Sequence, residues 1–191
     1  MLFLILGIII WSAMHFIPAS AVGFRTKLID RFGTVLYKIG FGVITLAAIV
    51  LIIWGWPNAS IDLLYLPPAI GAFFTIFLTL IAFVLFFSPY MDNNFRRMIR
   101  HPQLVSVILW GIGHLLANGE ARSVVLFGGL TLWALVELLL INKRDGSWEK
   151  PEAVPAIADV RLLLAGAGFF AIFMYTHELL FGVGPVPYFS S

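Results

Sequence analysis

The sequence predicts an all-α, polytopic transmembrane helical bundle of about six helices, and three observations predict it. Hydrophobic residues make up 61% of the chain and charged residues only 12%, roughly half the charged share of a soluble domain. Apolar runs of about eighteen residues or more recur, each long enough to cross a hydrocarbon core of about 30 Å at about 1.5 Å per residue. The lysines and arginines gather in short loops beside those runs, as membrane topology requires. With 191 residues, nothing is left over for a soluble domain, and residues 1–191 read as one membrane-embedded domain.

The first apolar run predicts a helix over 2–21. Its Ala19-Ser20-Ala21 end imitates a signal-peptidase site. No Lys or Arg precedes the run, Pro18 interrupts it and the positive charges follow it, so the helix is expected to be retained with its N-terminus outside. The second span is expected over 35–56, closed by Pro57-Asn58. The third covers 66–89, between Pro67-Pro68 and Ser88-Pro89. The fourth covers 102–118 and opens on Pro102, a residue suited to a first helical turn. Asn118-Gly119 is a tight turn that makes the fourth and fifth spans a helical hairpin, the fifth covering 123–141. The polar segment KRDGSWEKPEAVP is a loop leading to a sixth span over 160–182.

Charge orients this arrangement. Arg25, Lys27, Arg31 and Lys38 follow the first span, Arg96, Arg97 and Arg100 precede the fourth, and Lys143, Arg144, Lys150 and Arg161 surround the last loop. Eleven of the 12 basic residues thus fall on one side, with Arg122 alone on the other. The expected location is a bacterial inner membrane, with both termini periplasmic. A net charge of +2 and a pI near 9.1 would suggest nucleic acid in a soluble protein. Here they report topology, and the expected partners are membrane lipids and a lipophilic substrate, with no nucleic acid. Cysteine is absent, which excludes disulfides, thiolate nucleophiles and thiolate-held clusters.

Four histidines are the most informative polar residues, because a polar side chain in a bilayer needs a partner or a ligand. His15 lies in the first span, His101 at the mouth of the fourth, His114 deep within the fourth and His177 in the outer half of the sixth. Helical rise puts His15 and His114 at depths differing by about 8 Å, an offset that two imidazoles flanking one iron tolerate. The plain alternative is that each histidine hydrogen-bonds a neighbouring helix and does nothing more. Glu137, a carboxylate well inside the fifth span, is expected to be protonated or paired with a cation or imidazole. Glu178 would orient the His177 ring or lie at the outer interface. Gly111 and Gly113 thin the helix beside His114, for a flat ligand or for a close neighbouring helix.

The segment RHPQLVSVILWGIGHLLANGEARSVVLFG, residues 100–128, resembles the signature of the NnrU family, bacterial inner-membrane proteins related to the plant zeta-carotene isomerase. The likeness continues into WSAMHF around His15 and covers nearly the whole chain. It implies a helical bundle holding haem b, with His15 and His114 as the metal-ligating histidines. It further implies His101 near the site and Arg100 beside the haem propionates. The implied activity is redox-gated cis–trans isomerisation of a carotenoid-like polyene, or a role in nitric oxide and denitrification metabolism. The isomerase branch has a cysteine three residues before its second ligand, where this chain has Gly111, so no thiolate ligand is available. Other classes remain open: a non-catalytic accessory or assembly factor, and a membrane methyltransferase of the isoprenylcysteine carboxyl type, which shares RHP before an apolar helix. Against the last, Ser106 stands near its usual glycine and Glu137 is followed by leucine rather than a second glutamate.

Overall fold

The structure is a computed structural model describing residues 1–185, and those residues form a helical membrane bundle. Six helices follow one another: α1 (Leu2–Ser20), α2 (Val22–Gly55), α3 (Gly71–Phe87), α4 (Pro102–Ala117), α5 (Ala121–Asp145) and α6 (Ala156–Phe181). Five are long and apolar enough to cross a membrane. The sixth, α4, is a shorter apolar helix of 16 residues, a rise of about 24 Å. No strand occurs among the described residues, only an isolated bridge between Leu63 and Glu120.

Observed boundaries depart from the expected spans where local chemistry intervenes. α3 starts at Gly71 rather than at 66, because Pro67 and Pro68 restrict the residues before them to extended backbone. α5 starts earlier and ends later than 123–141, and contains a π-helical stretch at Val124–Gly128. α2 is longer at its start because it has two limbs, residues 22–32 and 34–55, broken at Gly33 with φ 78° and ψ 157°. Positive φ favours glycine, which has no Cβ to clash. The first limb, VGFRTKLIDRF, mixes basic and apolar residues as an interfacial helix does. The second is the span proper.

The chain divides into two compact units, residues 1–66 with 118–147 and residues 67–117 with 148–191. In the first, α1 and the long limb of α2 run antiparallel at close range. Gly7 faces the Ala48 carbonyl and Ile52, and Gly55 faces the backbone of Leu4. α5 runs parallel to α1: Gly129 lies against Ile8, Trp133 against Trp11 and His15, and the Arg144 guanidinium donates to the Pro18 carbonyl at 2.7 Å. Leu4 and Ile8 centre the apolar core, with Ala59, Ile52, Val125, Leu126 and Leu130 around them. The 56–66 segment closes one end. Leu64 N–H donates to the Gly119 carbonyl at 2.8 Å, and Ala121 N–H to the Asp62 carbonyl at 2.8 Å. Arg122 caps that end, paired with Glu120 at 2.8 Å and lying 4.7 Å over the Trp56 ring.

In the second unit α3 packs antiparallel against both α4 and α6. The Thr75 hydroxyl donates to the Gly113 carbonyl at 2.6 Å, and Gly166 lets α6 approach the backbone of Val84. Phe83, Phe87, Phe169, Phe170 and Phe173 fill the α3–α6 seam. The loop before α4 is held by two asparagines. Asn93 donates to the Ser88 and Met91 carbonyls. Asn94 bonds Asp159 through its backbone N–H at 2.6 Å and its amide at 2.7 Å, and exchanges bonds with Val154. The 88–101 loop is thereby tied to the start of α6.

Candidate functional site

His15 sits in the first unit with its ring enclosed by aromatic faces. Its ring centroid lies 4.2 Å from Trp11, 5.2 Å from Trp133 and 5.5 Å from Phe41. Trp11 is one turn back on α1, Trp133 comes from α5 and Phe41 from the long limb of α2, so all three helices of the unit converge here. Nδ1 of His15 lies 2.8 Å from the Trp11 carbonyl. A carbonyl only accepts, so Nδ1 carries the proton and the lone pair resides on Nε2, the arrangement that orients a metal-ligating imidazole.

His114 repeats the device in the second unit. Its Nδ1 donates to the Trp110 carbonyl at 2.8 Å, and the Trp110 ring lies 5.0 Å away. Both histidines thus stand four residues after a tryptophan whose carbonyl fixes their tautomer. A third, His177, donates from Nδ1 to the Val183 carbonyl at 2.8 Å. Glu178 is exposed.

The fit of this chemistry to a bound group can be read from its unsatisfied atoms. Beside His15, the indole N–H groups of Trp11 and Trp133 are buried without a hydrogen-bond partner among the described residues, as are the Thr131 hydroxyl and Oε2 of Glu137 elsewhere on α5. Glu137 is only 5% exposed and Trp133 only 8%. Buried polar atoms in apolar surroundings cost free energy until something bonds them. A histidine with its lone pair on Nε2, set in an aromatic wall with unused donors, therefore suits a planar aromatic ligand with a metal at its centre. The parallel register of α1 and α5 places Glu137 between Trp133, which meets His15, and Arg144, which meets Pro18. No group of three or more His, Cys, Asp or Glu able to hold a metal ion occurs among the described residues.

His101 and Arg100 occupy the other end of α4 from His114. The His101 carbonyl accepts from Val105 N–H at 3.1 Å, opening the helix, and thirteen residues of α4 carry the chain about 20 Å to His114. Both residues belong to the Asn93–Asn94 loop end of the second unit. At Gly113 a Cβ would make ordinary contact with Leu78 and the Thr75 backbone at 3.4–3.5 Å. Sequence reasoning missed Trp133 and Phe41 as walls of the His15 site. Its signal was nonetheless present for the tautomer lock, since WSAMH and WGIGH share one spacing.

Near His15 the first unit also carries a cleft of 190 Å³ lined by Pro18, Arg25, Tyr37, Lys38 and Phe41. Phe41 belongs to both, its other neighbour being the His15 ring.

No curated protein and no solved structure matches the chain. The family model described as NnrU protein matches residues 3–185. That match takes in both tryptophan–histidine pairs and every helix described above, and the chain belongs to the NnrU family.

Proposed function

We propose that this membrane protein binds haem b, with His15 and His114 each offering Nε2 to iron as an axial ligand. The observation that carries the reading is the shared lock, a Trp carbonyl four residues earlier accepting from Nδ1 in both cases. In both, Nδ1 bonds back along its own helix. Trp11, Trp133 and Phe41 pack around the His15 ring, and the unused indole N–H groups of the two tryptophans offer hydrogen bonds to whatever is bound. Haem, when bound, supplies one-electron redox chemistry and coordination of small diatomic ligands such as nitric oxide. The function that fits is redox-linked ligand chemistry within the membrane, in nitric oxide or denitrification metabolism or in cis–trans isomerisation of a lipophilic polyene. We place the chain in a bacterial inner membrane with both termini periplasmic, on the charge asymmetry of its loops.

The test is an absorption spectrum of the detergent-purified chain, oxidised and dithionite-reduced, compared with His15→Ala and His114→Ala. A Soret band with sharp reduced α and β bands, lost or shifted in each variant while the helical fold persists, is the expected result. A colourless protein after haem supplementation during expression contradicts the reading. Carotenoid profiles and growth on nitrite, with and without the gene, then separate the two uses.

A further inference from the structure

The break in α2 at Gly33 lies beside a site that the histidines do not explain. Arg25 and Tyr37 are twelve residues apart, which on a straight helix would separate them by about 18 Å. Across the break in α2 at Gly33, φ 78°, the Arg25 guanidinium reaches to 5.8 Å from the centre of the Tyr37 ring. Between the limbs and the end of α1 lies the cleft lined by Pro18, Arg25, Tyr37, Lys38 and Phe41. Its lining combines two cations and a phenol with an apolar ring. That ring, Phe41, meets the His15 ring edge-on at 5.5 Å. Pro18 is three residues beyond His15, about 4.5 Å further along α1. Its carbonyl is held by Arg144, whose own charge is taken up by Asp145 at 2.6 Å. Arg25 and Lys38 therefore supply the net positive charge of the cleft.

We propose that this cleft binds the anionic head of an amphipathic ligand, its carboxylate or phosphate oxygens held by Arg25 and Lys38 and its apolar body directed over Phe41 towards His15. Positive charge at a membrane surface follows from topology alone. Topology does not account for a helix broken at glycine so that an arginine stacks on a tyrosine beside a lysine. Two sources carry this chemistry. One is the pair of propionates of a haem at His15, which rests on the function proposed above. The other is the phosphate head of an anionic lipid, which does not.

The experiment uses the full chain in detergent, as wild type and as the Arg25→Gln/Lys38→Gln double variant, with Arg25→Lys as the charge-conserving control. In one arm haem b and its dimethyl ester, whose propionates are blocked, are titrated into apoprotein and followed by absorption. In the other, retention of phosphatidylglycerol against phosphatidylcholine is measured by native mass spectrometry. Propionate binding predicts that wild type and Arg25→Lys prefer haem over the diester by roughly tenfold or more, the scale of one charge-assisted hydrogen bond, and that the double variant loses the preference. Lipid binding predicts the same loss for phosphatidylglycerol retention instead. A wild type without preference in either arm, or a double variant that keeps both, overturns the proposal. If wild type binds neither haem nor diester, the haem reading has failed and the lipid arm alone decides the cleft. Should the double variant misfold, Lys38→Gln, at an exposed position, makes the same comparison.

Discussion

Replacing Gly7 with alanine would drive a methyl group into the backbone of α2. The added Cβ would lie 2.8 Å from the Ala48 carbonyl oxygen, 2.9 Å from Ile52 N and 2.7 Å from Ile52 Cγ1. The Ile52 side chain can turn aside, but the carbonyl and amide belong to a hydrogen-bonded helix and move only with it. Ordinary contact begins near 3.4 Å, so α1 and α2 must separate locally by about half an ångström, an overpacking strain worth about 1–3 kcal/mol. His15 lies eight residues further along α1, about 12 Å away, and the tilt needed to relieve the clash also disturbs its stack with Trp11 and Trp133. Gly42→Ala on the same limb is the control, because a Cβ there meets nothing within 4 Å. Its expected effect is neutral to stabilising, by up to about 1 kcal/mol from helix propensity. Unfolding in detergent by added dodecyl sulfate, followed by far-UV circular dichroism and tryptophan fluorescence, measures both. Gly7→Ala unfolding at the wild-type midpoint, or Gly42→Ala proving equally harmful, would refute the packing argument.

Other perturbations test other parts of the account. Thr75→Val removes the hydroxyl that bonds the Gly113 carbonyl next to His114; the expected loss is about 0.6 kcal/mol and at most about 1.7 kcal/mol in the same unfolding assay. Asp159→Ala leaves two Asn94 donors without their acceptor and is expected to loosen the 88–101 loop, read as faster hydrogen exchange there. Arg122→Gln removes the Glu120 ion pair and the cation over Trp56, with an expected loss of about 0.5–1 kcal/mol and a shift in Trp emission. The chain has no cysteine, so Ser147→Cys introduces a single label site. An impermeant maleimide is expected to react with it only from the cytoplasmic face, and labelling of intact spheroplasts from outside would reverse the proposed orientation.

The helices were legible because apolar length and proline placement are local signals. Pro102 opens α4 as expected, and the span beginning near 35 matches the long limb of α2. The break at Gly33 was not legible, since an isolated glycine in a helical pattern signals a bend only when the tertiary contact it permits is known, here Arg25 on Tyr37. The division into two units was likewise invisible, because it depends on which helices pack together rather than on any composition shift. At the candidate site, His15 and His114 stood out as polar residues in apolar runs. Trp133 and Phe41 did not, being two aromatics among many until α2 and α5 brought them to the His15 ring.

The measurement that bears most directly on the account is the reduced-minus-oxidised spectrum of the purified chain, with a pyridine haemochrome assay, for wild type, His15→Ala and His114→Ala. The account predicts b-type haem in the wild type, with reduced bands lost or displaced in each variant although its helical circular dichroism is retained. A wild type without haem, or variants whose spectra match the wild type, would contradict it.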